Sequence, residues 1–209
     1  MTSPADRIIV HYEKHAASWD RARQNAAWSD KVWHDRFVDA LPKGARVLDL
    51  GCGPGYPVAR HMADHGLRVA GVDSSPAMIA LCRSRLPDQE WIVADMRHLA
   101  LGRRFDGILA WDSFFHLDHA AQRAMFAVFE GHAAPGALLM FNTGPEHGEG
   151  IGEFEGDPLY HASLAASVYE SSLGQAGFRV IAHVANDPEA GGRTVWLCRR
   201  RQNQDGNRQ

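Results

Sequence analysis

The sequence predicts a doubly wound α/β domain: a mostly parallel sheet covered by helices on both faces. Three observations lead there. Short apolar runs alternate along the chain with segments of helical period, and parallel strands require that alternation because each is reached through a right-handed crossover helix. The first strand runs through Leu48, Asp49 and Leu50 into Gly51-Cys52-Gly53-Pro54-Gly55, a glycine turn that lets backbone pass close to a ligand. A second apolar run closes on Asp73, at the spacing of roughly 20 residues where nucleotide-binding folds grip ribose hydroxyls.

Cap chemistry at Thr2, Ser3 and Pro4, followed by Ile8, Ile9, Tyr12, Ala16 and Trp19 at helical spacing, predicts an N-terminal helix to about residue 19. A second helix is expected over 29–41, with Val32, Trp33, Phe37, Val38 and Leu41 on one face and Pro42-Lys43-Gly44 ending it. Strands are expected at 46–50, 68–72, 91–94, 105–111 and 137–142. Between them come helices over 56–64, over 77–86 with Ser75 as cap and Pro76 at the first position, and from Asp118 to about 130. Residues 144–158, rich in Gly, Pro and acids, read as a long loop at the carboxyl edge of the sheet, where ligands bind. A last helix over 166–176 and strands at 178–184 and 194–199 complete the domain. The reading is one domain over 1–200, with 1–42 as a helical lid, 43–200 as the core, 144–165 as a substrate loop and 201–209 as a disordered tail without apolar residues.

Bulk properties fit a compact enzyme. The 209 residues are 45% hydrophobic and 22% charged, enough for a full core. A net charge of -3 lacks the basic excess of nucleic-acid binders, so no nucleic-acid partner is expected. No long apolar run or leader is visible, so no membrane partner is expected and the cytoplasm is the expected compartment. The 3 cysteines, Cys52, Cys82 and Cys198, form neither a ladder nor a C-x-x-C pair.

The turn reads G-x-G-x-G behind an acid. A carboxylate there repels a pyrophosphate and holds a cation, so a positively charged nucleoside fits best. With these residues in view, the stretch 46–143 resembles the class I S-adenosylmethionine (SAM) dependent methyltransferases: Asp49 to Gly55 matches their first motif, Asp73 the ribose acid, Ala94-Asp95-Met96 the adenine segment, and 105–111 the fourth strand. The resemblance implies a seven-stranded, Rossmann-like sheet whose last strand is antiparallel, with the last two strands as an edge hairpin. It also implies SAM as cofactor and S-adenosylhomocysteine as product. The residues expected to hold the cofactor are Asp49, Gly51, Cys52, Gly53, Gly55, Asp73, Ser74, Met78, Asp95, Met96 and Trp111.

Methyl transfer is an in-line displacement in which the enzyme chiefly aligns and desolvates; a base is needed only when the acceptor arrives protonated. Candidates follow the fourth strand. His116 is the expected base or orienting group, with packing as its alternative, and Asp112 accompanies it as a hydrogen-bond acceptor or a turn support. Tyr12 and Trp19 from the lid, with His116, His147 and Tyr160, are expected around a small-molecule acceptor. Asp112 and Asn142 offer two oxygens but no third ligand can be assigned, so no metal is expected. A tRNA or protein methyltransferase, a non-catalytic SAM-binding protein and a nicotinamide dehydrogenase are the competing readings, the last without its G-x-G-x-x-G. Monomer and homodimer stay open, as does the acceptor atom.

Overall fold

The computed structural model describes residues 4–202. The expected cap at Thr2 and Ser3, and all but the first two residues of the expected tail, lie outside them. The main sheet has seven strands in the order β3-β2-β1-β4-β5-β9-β8. Its strands β1 (Arg46–Leu50), β2 (Arg68–Asp73), β3 (Glu90–Val93), β4 (Phe105–Ala110) and β5 (Ala133–Thr143) run parallel, in registers such as Leu48 beside Ala70 and Ile108. β9 (Arg193–Arg200) is antiparallel both to β5 and to the edge strand β8 (Phe178–Asp187).

Because the central strands are apolar on both sides, each face of the sheet carries its own core. One face packs Leu48, Ile108 and Phe141 against α5 (His119–His132) and α6 (Ala166–Gln175), through Phe126, Phe129 and Tyr169. The other packs Val47, Val69 and Leu109 under α2 (Lys31–Asp39), α3 (Val58–Asp64) and α4 (Pro76–Arg85). Local signals set the helix starts: Ser75 accepts from the Met78 amide and Asp118 from the Ala121 amide, each satisfying an orphan donor.

Two expectations need correction. The lid helix α1 runs over Pro4–Asn25, beyond Trp19, because Asp20 is tied to Arg85 of α4 and no Gly or Pro breaks the last turns. The segment expected as a loop is instead a hairpin, β6 (Gly148–Phe154) and β7 (Asp157–Ser163), forming a second, two-stranded sheet. Its turn residues Glu155 and Gly156 both have positive φ, 54° and 80°, as a two-residue turn matched to strand twist requires. Gly148, Gly150 and Gly152 lower the strand propensity of β6 and hide it; pairing with β7 holds it extended. Leu159, Tyr160 and Ala162 of β7 pack on Ala5 and Ile8 of α1, so lid and hairpin form one small satellite core.

Candidate active site

The carboxyl ends of β1, β2, β3 and β4 open under α1 into a cavity of about 1020 Å³ counted to its mouth. Gly51, at φ +72°, begins the turn that forms its floor; a Cβ there would stand 2.3 Å from Ser113 Cβ. Only glycine allows that approach. Asp49, Cys52, Gly53, Asp73, Ser74, Met78, Asp95, Met96 and Trp111 line the same cavity, with Tyr12, Trp19 and Arg23 from the lid. Gly55 does not line it: its φ of +73° turns the chain against Cys82 and Trp91, which is a packing role.

The cavity is rich in carboxylates: burial raises two of them, and ion pairing lowers a third. Burial, then the like charge of Asp73, pushes Asp49 up to about 7. Burial also raises Asp73, although its Oδ2 accepts from the Gly53 amide and its Oδ1 from the Ser75 amide, both at 2.9 Å. Asp95 is held by Arg97, which also reaches Asp6 of the lid at 2.8 Å, and these bonds outweigh burial and lower it.

After β4 the chain turns sharply through Asp112, whose φ of 49° is unusual for a residue with a side chain. Its carboxylate accepts two bonds from Arg193, at 2.7 and 2.8 Å, and one from Asn142 Nδ2 at 2.8 Å. Burial opposes its charge, but these partners and Arg23 overcome it, and Asp112 stays an anion. One short turn later lies His116. Its Nδ1 donates to the Tyr160 carbonyl at 2.8 Å, because a carbonyl only accepts; Nε2 therefore carries the lone pair and accepts from the Tyr12 hydroxyl at 2.8 Å. Burial pushes His116 down to about 4, so the ring is neutral at neutral pH.

Tyr12, Trp19, Asp112 and His116 also line a second cavity, about 1300 Å³ to its mouth, on the hairpin side. Its other walls are Phe115, Asn142, Glu146, Glu149, His161 and Arg193. His161 stacks on His116 with ring centroids 4.9 Å apart. His147 and the Tyr160 side chain line neither cavity: His147 is exposed and stacks on His119, while Tyr160 turns into the satellite core, meets Glu149 with its hydroxyl and gives its carbonyl to His116. Arg193 and Arg23 escape sequence reasoning. Their only signals are a Gly-Gly pair before Arg193 and an arginine in the last turn of a lid helix.

The family model for the methyltransferase domain matches residues 47–136, the span that builds the glycine turn, Asp73, Asp95 and the turn to His116. Over that span the chain is similar to methyltransferase domains. Over 101 residues it is 40% identical to a dTDP-3-amino-3,6-dideoxy-alpha-D-glucopyranose N,N-dimethyltransferase of Streptomyces fradiae, covering 47% of this chain and 39% of that one. Over 65 residues it is 48% identical to a trans-aconitate 2-methyltransferase of Escherichia coli, covering 31% and 26%. The matches thus span less than half the length of these relatives. Among solved structures, the fold resembles a SAM-bound amino pentose methyltransferase from Micromonospora echinaspora, with TM-score 0.69, 23% identity and coverage of 88% and 96%. It also resembles a Burkholderia thailandensis 1,6-didemethyltoxoflavin-N1-methyltransferase, with TM-score 0.75, 17% identity and coverage of 97% and 92%. Around the matched span, α1 and the hairpin add the second cavity. No helix among the described residues is long and apolar enough to cross a membrane.

Proposed function

We propose that the protein transfers a methyl group from SAM to an amine nitrogen of a small-molecule acceptor. The observation that carries this reading is the wall shared by the two cavities: Tyr12, Trp19, Asp112 and His116 face both, so a ligand on the cofactor side meets one on the hairpin side there. The cofactor side suits SAM chemically. Asp49 and Asp73 offer buried carboxylates to a cationic nucleoside, and apolar Ile8, Ile9, Met96 and Leu117 line the same cavity for a flat base beside Asp95. When bound, SAM supplies an electrophilic methyl on a sulfonium.

The chain's own residues then position the acceptor. Glu146 and Glu149 bring negative charge to the hairpin side, which favours an amine over an acidic acceptor. Neutral His116, with its lone pair at Nε2, accepts a hydrogen bond from an acceptor N–H once Tyr12 yields its place. A ring pushed down to about 4 is a weak base, so orientation is favoured over proton abstraction. Trp19 and the lid exclude water. The amine named in the Streptomyces fradiae and Micromonospora echinaspora relatives supports the same acceptor chemistry.

The test is to incubate the protein with SAM and a panel of amino sugars, other small amines, hydroxyl analogues and carboxylic acids, and to follow S-adenosylhomocysteine and acceptor mass. Methylated amines are expected. Turnover confined to hydroxyl or carboxyl acceptors would overturn the nitrogen assignment.

A further inference from the structure

Where α1 packs on the hairpin, three side chains that the proposed methyl transfer does not use come together. His11 and His15 are one helical turn apart, Asp157 opens β7 opposite them, and one ligand atom from each lies within 4.8 Å of the others. His15 Nε2 donates to Asp157 Oδ2 at 2.6 Å. His11 is only 5% exposed, its ring centroid is 4.8 Å from that of His15, and neither of its nitrogens has a hydrogen-bond partner among the described residues. A buried imidazole with both nitrogens open costs free energy that a bound ligand would recover. Phe154 stands edge-on to both rings, at 6.0 and 6.1 Å, and makes the third side of the cluster apolar.

We propose that His11, His15 and Asp157 form a divalent transition-metal site, fitted to zinc, that staples the lid helix α1 to the hairpin. Two imidazoles and one carboxylate are a zinc donor set that leaves the fourth tetrahedral position to water. Histidines at i and i+4 present both rings on one helix face, the spacing that helical zinc sites use. Around a tetrahedral ion with bonds of about 2.0 to 2.1 Å, ligand atoms stand about 3.3 Å apart. The cluster must therefore close slightly. Asp157, with its side chain 36% exposed, is free to move, and the ion takes the place of the proton between His15 and Asp157.

One neighbour opposes the ion and gives the test its sign. Lys14 Nζ donates to the same Asp157 Oδ2 at 2.6 Å, so its ammonium competes with a metal for that oxygen. At 61% exposed, the Lys14 side chain can swing into water. Removing it should tighten metal binding, whereas zinc held adventitiously by scattered surface histidines would not respond.

The experiment is calorimetric titration of the full chain with zinc chloride alone, repeated on Asp157→Asn and Lys14→Met, both substitutions at solvent-facing side chains. One equivalent is expected, at least about ten-fold weaker in Asp157→Asn, by the scale on which groups around a metal act. Binding should be roughly two- to five-fold tighter in Lys14→Met, the scale of one exposed ion pair. Cobalt in place of zinc should give a tetrahedral visible spectrum that His11→Gln abolishes. No stoichiometric binding, equal affinity in Asp157→Asn, or no tightening in Lys14→Met would each overturn the site. No readout depends on methyl transfer, so failure here leaves the proposed reaction standing, and the reverse holds as well.

Discussion

Tyr12 and His116, 104 positions apart in sequence, are joined by a 2.8 Å hydrogen bond that closes the lid onto the end of β4. The bond lies where the two cavities meet. Because His116 Nδ1 is committed to the Tyr160 carbonyl, the same ring links lid, core and hairpin, and its tautomer is fixed by the fold.

Tyr12→Phe should therefore do more than loosen the lid. It leaves His116 Nε2 a buried acceptor without a donor, a cost of about 1 to 3 kcal/mol. Urea unfolding should show the loss in the ligand-free protein, and turnover should change through kcat if His116 orients the acceptor. An unchanged unfolding midpoint would sink this account of the bond.

Cofactor binding should release a proton near neutral pH. Asp49 is raised to about 7 in the ligand-free protein, and a cationic ligand beside it favours the carboxylate. Affinity for SAM is then full above about pH 7 and falls as pH drops, by up to about ten-fold per unit. Calorimetry in buffers of different ionisation enthalpy measures the released proton, and Asp49→Asn should abolish it.

Arg193→Met should be destabilising. It strips two bonds from the half-buried anion Asp112 and leaves it only Asn142 and the more distant Arg23, a loss of about 1 to 3 kcal/mol for a charged group deprived of its partner. Arg193→Lys should recover only part of this, since an ammonium cannot reproduce the two-pronged contact. Thermal unfolding of both variants decides it. Equal recovery by Lys would mean that charge alone matters there.

Acid should unfold the protein early. His116 and His34 are both pushed down to about 4 by burial, from an ordinary value of 6.5, so the unfolded chain binds more protons than the folded one between these values. Stability must therefore fall as pH drops from 6.5 to 4, by a few kcal/mol at most for each ring. Asp49, raised to about 7, acts in the opposite sense, because its folded form holds the proton more tightly. Ligand-free Asp49→Asn should show the steeper acid decline; a shallower one would contradict these assignments.

The features legible in the sequence are those set by neighbours along the chain. Ser75 and Asp118 announce helix starts because a cap bonds an amide three residues on, and Gly51 to Asp73 reads as a ligand turn because strand, turn and acid follow one another. What is illegible depends on distance. The partner of Asp112 is 81 residues away, so its role as a half-buried, paired anion has no local sign. Tyr160 belongs at the site through its backbone, which residue type does not reveal, and His147 faces away from it. The hairpin was hidden by its own glycines, since a strand held by its partner needs little propensity of its own.

The neck of that hairpin makes it a self-contained unit. The Gly144 amide donates to Ser163 Oγ at 2.7 Å, so the segment leaves and re-enters the core at a single pinned point. Everything between is a cassette that lines the second cavity and contributes no strand to the main sheet. On the proposed function, exchanging that cassette should change which acceptor is taken while leaving SAM binding intact.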